Sequence, residues 1–231
     1  MSDALLEAIY ARDVERVATL LAAGADPNED GKSRYSEYGS GREFPLQVAI
    51  GVLEAFEGSG QYAAEPAGSI DAVVLLLRYG ARVKGWDVNT EGDPLYLAVV
   101  MNHVEAVRLM LAAGADPNVR DDEGDSPLRF CAEKGYLEMA RLLLLCGANK
   151  TMHEGGGSAG MNALGYAATR LHVDIVRLLL SHGADPLVGD ADDITTFRRL
   201  QFTVELGRVP EDPAAQERLR EIRQLLGDPS A

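Results

Sequence analysis

Few side chains in this sequence have the types and spacing that chemistry requires. The histidines are His103, His153, His172 and His182, and no two make the His-x-x-x-His pair that holds zinc on one helix face. Cys131 and Cys146 give neither a Cys-x-x-Cys ligand pair nor a disulfide framework; each sits in an apolar helical run and reads as a small buried residue. Asp121, Asp122, Glu123 and Asp125 surround Gly124, but they lack the alternating acids and the distal bidentate glutamate of a calcium loop. Gly155-Gly156-Gly157 has no following lysine to complete a phosphate loop and reads as a flexible tip. Catalysis needs groups that converge with matched roles. These do not, so the chain reads as a non-enzyme with no cofactor and no metal, a hydrolase being the remote alternative.

Charge narrows the choice of partner. Thirty-six acids against 22 bases give a net charge of −14 over 231 residues. Phosphate contacts need a basic face, so this balance argues against nucleic acid, and equally against an anionic lipid surface. A protein with a basic surface fits better. Hydrophobic residues make up 46% of the chain, enough to bury a core, yet no apolar run reaches the roughly 20 residues of a membrane span. The start, Met1-Ser2-Asp3-Ala4-Leu5-Leu6-Glu7, carries acids where a leader needs bases, so the expected location is cytoplasmic. Abundant arginine and alanine with little lysine resemble a bacterial composition.

The elements that position these residues repeat. A Gly-Ala pair closes a leucine-rich stretch at Gly24-Ala25, Gly80-Ala81, Gly114-Ala115, Gly147-Ala148 and Gly183-Ala184, in steps of 56, 34, 33 and 36 residues. Before each pair lies an amphipathic helix, as in Val104-Glu105-Ala106-Val107-Arg108-Leu109-Met110-Leu111 or Val173-Asp174-Ile175-Val176-Arg177-Leu178-Leu179-Leu180. Apolar positions at i, i+3, i+4 and i+7 give one buried stripe, and the glycine ends the helix in a left-handed turn. A shorter helix precedes the last four, beginning Phe44-Pro45-Leu46-Gln47, Asp93-Pro94-Leu95-Tyr96, Ser126-Pro127-Leu128-Arg129 and Asn162-Ala163-Leu164-Gly165. Asp93, Ser126 and Asn162 are capping residues, and proline suits the first helical position.

These residues resemble the ankyrin repeat family, whose Thr-Pro-Leu-His-x-Ala motif corresponds to the four short-helix starts. Its Gly-Ala-Asp-x-Asn turn corresponds to Gly24-Ala25-Asp26-Pro27-Asn28 and Gly114-Ala115-Asp116-Pro117-Asn118. His103 and His172 match the family's frequent histidine before the second helix. The resemblance covers about residues 3–200 and implies an all-α ankyrin-repeat solenoid of helix-turn-helix pairs with β-hairpin-like finger loops. Read so, residues 1–231 form a single domain. Its repeats lie near 3–43, 44–92, 93–125, 126–161 and 162–194, with a C-terminal cap at 195–228. Gln47, Tyr96, Arg129 and Gly165 replace the motif histidine, which puts the hydrogen bonds between neighbouring turns in doubt.

Two insertions account for the long first step: about eight residues near Arg34–Gly41 in the first finger, and fifteen near Leu53–Ala67 between two helices. Insertions in solenoids fall on loops, commonly on the binding face. Neutral drift explains them equally for the first finger and better for the second.

The resemblance also implies that finger tips and the inner faces of first helices grip a partner protein. The matching inner-helix positions are Gly51 and Val52, Val100 and Met101, Glu133 and Lys134, and Thr169 and Arg170. The finger positions are Trp86, Asn89, Thr90, Asp122, Glu123, Asp125 and Met161, with Tyr35 and Tyr38 as further aromatic anchors. The expected molecule is a monomer when free. It binds a basic protein, as an immunity-like inhibitor or alternatively as a scaffold that localises an enzyme.

Overall fold

The computed structural model describes residues 2–32, 42–54, 67–85, 92–157 and 159–227. They fall into two compact units, Met1–Asp116 and Pro117–Ala231. Unit 1 contains α1 (Ser2–Tyr10), α2 (Val14–Ala22), β1 (Gly31–Lys32), β2 (Arg42–Glu43), α3 (Pro45–Gly51), α4 (Ile70–Arg78), α5 (Pro94–Val100) and α6 (Val104–Ala112). Unit 2 contains α7 (Pro127–Lys134), α8 (Leu137–Leu145), α9 (Ala163–Thr169), α10 (Val173–Ser181), α11 (Thr196–Glu205) and α12 (Pro213–Leu225). Among the described residues no helix is long and apolar enough to cross a membrane.

Each unit is a two-layer stack of helix pairs. In unit 1 the first helices α1, α3 and α5 pack side by side, as do the second helices α2, α4 and α6. Unit 2 repeats this with α7, α9 and α11 in one layer and α8, α10 and α12 in the other. The stripe residues Val73 and Leu76, Val107 and Met110, Ala140 and Leu143, and Val176 and Leu179 are all wholly buried. Removing one such leucine side chain from water contributes about 1.5–3 kcal/mol.

The helix ends follow from local chemistry. The side chains of Asp93, Ser126, Asn162, Thr195 and Asp212 accept backbone N–H bonds in the first turns of α5, α7, α9, α11 and α12. Phe44 makes no such bond at the start of α3. After each second helix up to α10 the glycine turns left-handed, with φ between 88° and 95°. The alanine N–H then returns to a helix carbonyl, as Ala115 does to Met110 and Ala148 to Leu143. This explains the pair: glycine supplies the turn, and alanine is small enough to be buried beneath it.

The two insertions leave the stack undisturbed. β1 and β2 pair antiparallel, Gly31 opposite Glu43 and Lys32 opposite Arg42, and so form the stem of the first finger. Gly68 N–H donates to Val52 O at 2.6 Å, which closes the base of the second insertion.

The cap of α5 is a buried charge. The Asp93 carboxylate accepts from Leu95 N and Tyr96 N, yet it is only 8% exposed. Burial pushes its carboxyl up to about 6, and nearby Asp116 pushes the same way. The folded state therefore binds this proton more tightly than the unfolded state. Stability from this group rises as pH falls from about 6 towards the ordinary aspartate value, and the cost of ionising it is complete above 6. Asp93→Asn keeps an acceptor for the cap and removes the charge. It is expected to stabilise the protein at pH 7.5 by up to roughly 3 kcal/mol, with the advantage shrinking as pH approaches 4. Urea midpoints of both proteins at the two pH values check this; an equal difference at both would remove burial as the cause.

Candidate functional site

Two fingers of unit 2 share one construction. The Asp121 carboxylate accepts from Glu123 N at 3.1 Å and Asp125 N at 2.6 Å, while Asp121 N donates to Asp125 O at 2.9 Å. Asp190 does the same with Asp192 N at 3.0 Å, Ile194 N at 3.2 Å and Ile194 O at 3.1 Å. Each is a tight turn closed by an aspartate on its own backbone. Gly124 and Asp193 take the left-handed position, with φ of 76° and 57°. Residues 190–194 are thus a finger like 121–125, and α11 packs on α9 as α9 packs on α7. The cue was visible in the sequence, since Asp190-Ala191-Asp192-Asp193-Ile194 aligns with Asp121-Asp122-Glu123-Gly124-Asp125.

Backbone bonds tie one finger to the next. Gly157 N–H donates to Glu123 O at 3.2 Å, and Ala191 N–H to Gly160 O at 3.0 Å. A Cβ on Gly155 would strike Ala191 N and Gly160 O, and one on Gly156 would strike the Arg129 guanidinium and lie 2.6 Å from Gly124 O. The expected flexible tip is therefore corrected: these glycines let neighbouring fingers touch. Gly156-Gly157-Ser158-Ala159-Gly160 also has the spacing of a hydrolase nucleophile elbow. It runs into α9 from a finger rather than from a strand, and Ser158 lies outside the described residues.

Arg129 resolves the doubt about missing histidines. Its side chain is 1% exposed, with Nε donating to Asp125 Oδ1 at 2.6 Å, Nη2 to Gly124 O at 2.5 Å and Nη1 to Glu154 O at 3.3 Å. Gln47 in unit 1 donates to Gly92 O at 3.0 Å. Both substitutes reach the following finger. The turn asparagines add a second tier, with Asn28 donating to Gly80 O at 3.0 Å and Asn118 to Gly147 O at 2.9 Å. Both asparagines also accept, from Arg82 N and Lys150 N.

Three of the histidines serve the same scaffold. The His172 ring sits 3.2 Å from Glu133 O, His153 Nε2 accepts from Asp185 N at 2.9 Å, and His182 Nδ1 lies 2.9 Å from Leu178 O. Cys131 is buried as expected, and burial pushes its thiol above its ordinary value. Cys146 is a correction: it is exposed, because it stands at the end of α8, past the buried stripe.

The acidic runs are partly consumed inside the protein. Arg42 pairs with Asp30 and holds its carboxyl below the usual range. Arg199 donates to both Asp190 and Asp192 at 2.6 Å. Asp125 accepts from Ser126 N and Arg129, and its side chain is 13% exposed, so it is turned into the finger. Asp122 and Glu123 remain exposed at the tip.

On the helix floor of unit 2, Arg170 donates to Glu133 at 2.8 Å, Lys134 lies 3.6 Å from the same carboxylate, and Lys134 covers the Phe130 ring at 5.3 Å. The Thr169 hydroxyl donates to Gly165 O and lies 3.9 Å from the Met161 sulfur, so finger and floor meet there. In unit 1, Val100 is 39% exposed and Met101 is half-buried. Val52 is buried, a correction to its assignment to the face, because it forms the C-cap of α3 and the closed base of the insertion. Tyr35, Tyr38, Trp86, Asn89 and Thr90 lie outside the described residues.

Comparison with known proteins agrees with this construction. A family model described as ankyrin repeats (3 copies) matches residues 61–154 and 113–190. NF-kappa-B inhibitor alpha of Sus scrofa is 34% identical over 100 residues, which is 42% of this chain and 32% of that protein. Putative E3 ubiquitin-protein ligase XBAT35 of Arabidopsis thaliana is 36% identical over 104 residues, 45% of this chain and 22% of the relative. The B-cell lymphoma 3 protein homolog of Mus musculus is 31% identical over 130 residues, 56% of this chain and 28% of the relative. The chain thus spans a third or less of the length of these relatives. With its helix pairs, Gly-Ala turns and hydrogen-bonded fingers, this chain belongs to the ankyrin repeat family, whose fold is a protein–protein interaction module.

Proposed function

We propose that this chain is a non-enzymatic module that binds a partner protein with a basic surface on its finger and first-helix face, and restrains that partner as an inhibitor. The finger row of unit 2 carries this reading. Arg129 and the backbone bonds hold it, inner acids are paired, and Asp122 and Glu123 are left facing solvent. A fixed face loses little freedom on binding, and exposed rim acids speed encounter with a basic surface. Glu133, Lys134, Met161, Thr169 and Arg170 supply further contacts in unit 2, as do Val100 and Met101 in unit 1. The name of one relative, NF-kappa-B inhibitor alpha, supports inhibition. An adaptor role is the second reading, favoured by the ubiquitin ligase relative, in which the matching region is 22% of the protein.

Capture of the partner from source cells, followed by binding kinetics, tests this. Asp122→Lys with Glu123→Lys is expected to slow association about tenfold or more at low salt, while the urea midpoint stays put. Association indifferent to both salt and charge reversal would leave these acids as a solubilising rim.

A further inference from the structure

The last two helices are joined differently from the rest. In every earlier pair the first helix packs on its own second helix. α11 and α12 barely touch: α11 packs on α9, and α12 on α10. The turns inside the other pairs of unit 2 are short, at 135–136 and 170–172. Between α11 and α12 runs 206–212, in which every residue except Val209 is exposed.

Each of the two helices also closes on itself. Arg208 N donates to Thr203 O at 3.0 Å where α11 ends, and the Asp212 carboxylate accepts from Ala215 N at 2.9 Å where α12 begins. On α11, Arg199 turns to the finger acids Asp190 and Asp192, and Gln201 to Glu205. α12 reaches α10 instead, where Glu221 pairs with Arg177. Its buried stripe is Ala215, Leu219 and Ile222, at i, i+4 and i+7. Beside the first turn of α10 the seam opens into a cleft of about 680 Å³, with Asp174, Arg177, Arg218 and Glu221 in its lining. α12 is thus held along one narrow seam.

The charges on that seam are inverted. α6 and α8 carry an acid and then an arginine three residues on, in Glu105–Arg108 and Glu138–Arg141. Asp174 and Arg177 repeat this order in α10, but α12 reverses it, with Arg218 before Glu221. A helix of the repeated order in the register of α12 would set arginine against Arg177, and like charges repel. The reversed order sets Glu221 there.

We infer that α12 is a releasable strap. It docks on α10 by its short stripe, keyed by the inverted charges, and opens while α11 and finger 190–194 stay packed. Sub-global opening draws on elements with few ties to the rest of the fold. Released, α12 uncovers the flank of α10 on which a further helix pair would stack, and it leaves the finger face intact. The strap is therefore independent of the partner face proposed above.

The test is native-state hydrogen exchange of the full chain in low urea. The Ile222 amide is expected to exchange through an opening less dependent on urea than those at Leu200 of α11 and Ala167 of α9. Leu219→Ala is expected to speed exchange at Ile222 about tenfold or more, with Leu200 unchanged. Arg177 and Glu221 are partly exposed, so Arg177→Glu is expected to speed it only about two- to fivefold. Adding Glu221→Arg to that variant is expected to restore the original rate. Equal acceleration at Ile222 and Leu200, or one urea dependence shared by α11 and α12, would make the cap a single unit and overturn the strap. A double variant that exchanges as fast as Arg177→Glu alone would overturn the charge key.

Discussion

Arg129→Met is expected to destabilise unit 2 by about 3–5 kcal/mol, the usual effect of removing one partner from a buried ion pair. Methionine fills most of the space of the arginine stem, so the loss reports mainly on the guanidinium. Without it, the shielded Asp125 carboxylate has no counter-charge, and Gly124 O and Glu154 O lose their donors. Arg129→Lys keeps the charge, but a single ammonium does not reproduce the planar fork that serves three acceptors at once. It is expected to recover less than half of the loss. Urea midpoints give the magnitude, and amide exchange gives the place: Asp125 N–H and Gly157 N–H should lose protection first. Unchanged exchange at these amides would mean that the finger row is held by its backbone bonds alone.

Gly155→Ala should come next, at about 2–4 kcal/mol, by adding the cost of overpacking to a lost hydrogen bond. The new methyl would press on backbone, Ala191 N and Gly160 O, which has no rotamer through which to yield. The bond between those same atoms would have to open. Gly51→Ala supplies the contrast, because nothing lies within 4 Å of its Cβ position at the end of α3. That change is expected to stabilise by roughly 0.5–1 kcal/mol through helix propensity. A neutral Gly155→Ala would show that the fingers are looser than their packing implies.

The family and its helices were legible in the sequence because their causes are local. Glycine at a left-handed turn, proline after a capping residue and a 3.6-residue apolar stripe each act within a few residues of themselves. The period then repeats that local signal until chance is excluded. The insertions were legible for the same reason, as excess over the period, and Gly68 bonded to Val52 shows why the stack tolerates the second of them.

What the tertiary structure decided is which polar groups face each other across the period. The run Asp121–Asp125 reads as uniform acidity, yet only the fold turns Asp121 and Asp125 inward and leaves Asp122 and Glu123 outside. Arg129 looks like a lost histidine until Glu154, 25 residues on, is brought against it. Gly155 and Gly156 look like slack until Ala191 and Arg129 are seen to occupy the space beside them. Cys146 and Cys131 share an apolar context in sequence, and only the end of α8 separates the exposed one from the buried one. A repeat period fixes which element stacks on which. The acceptor that Arg129 finds at Glu154, or the room beside Gly155 and Gly156, depends on atoms in a neighbouring repeat, and only close packing brings those atoms within ångströms.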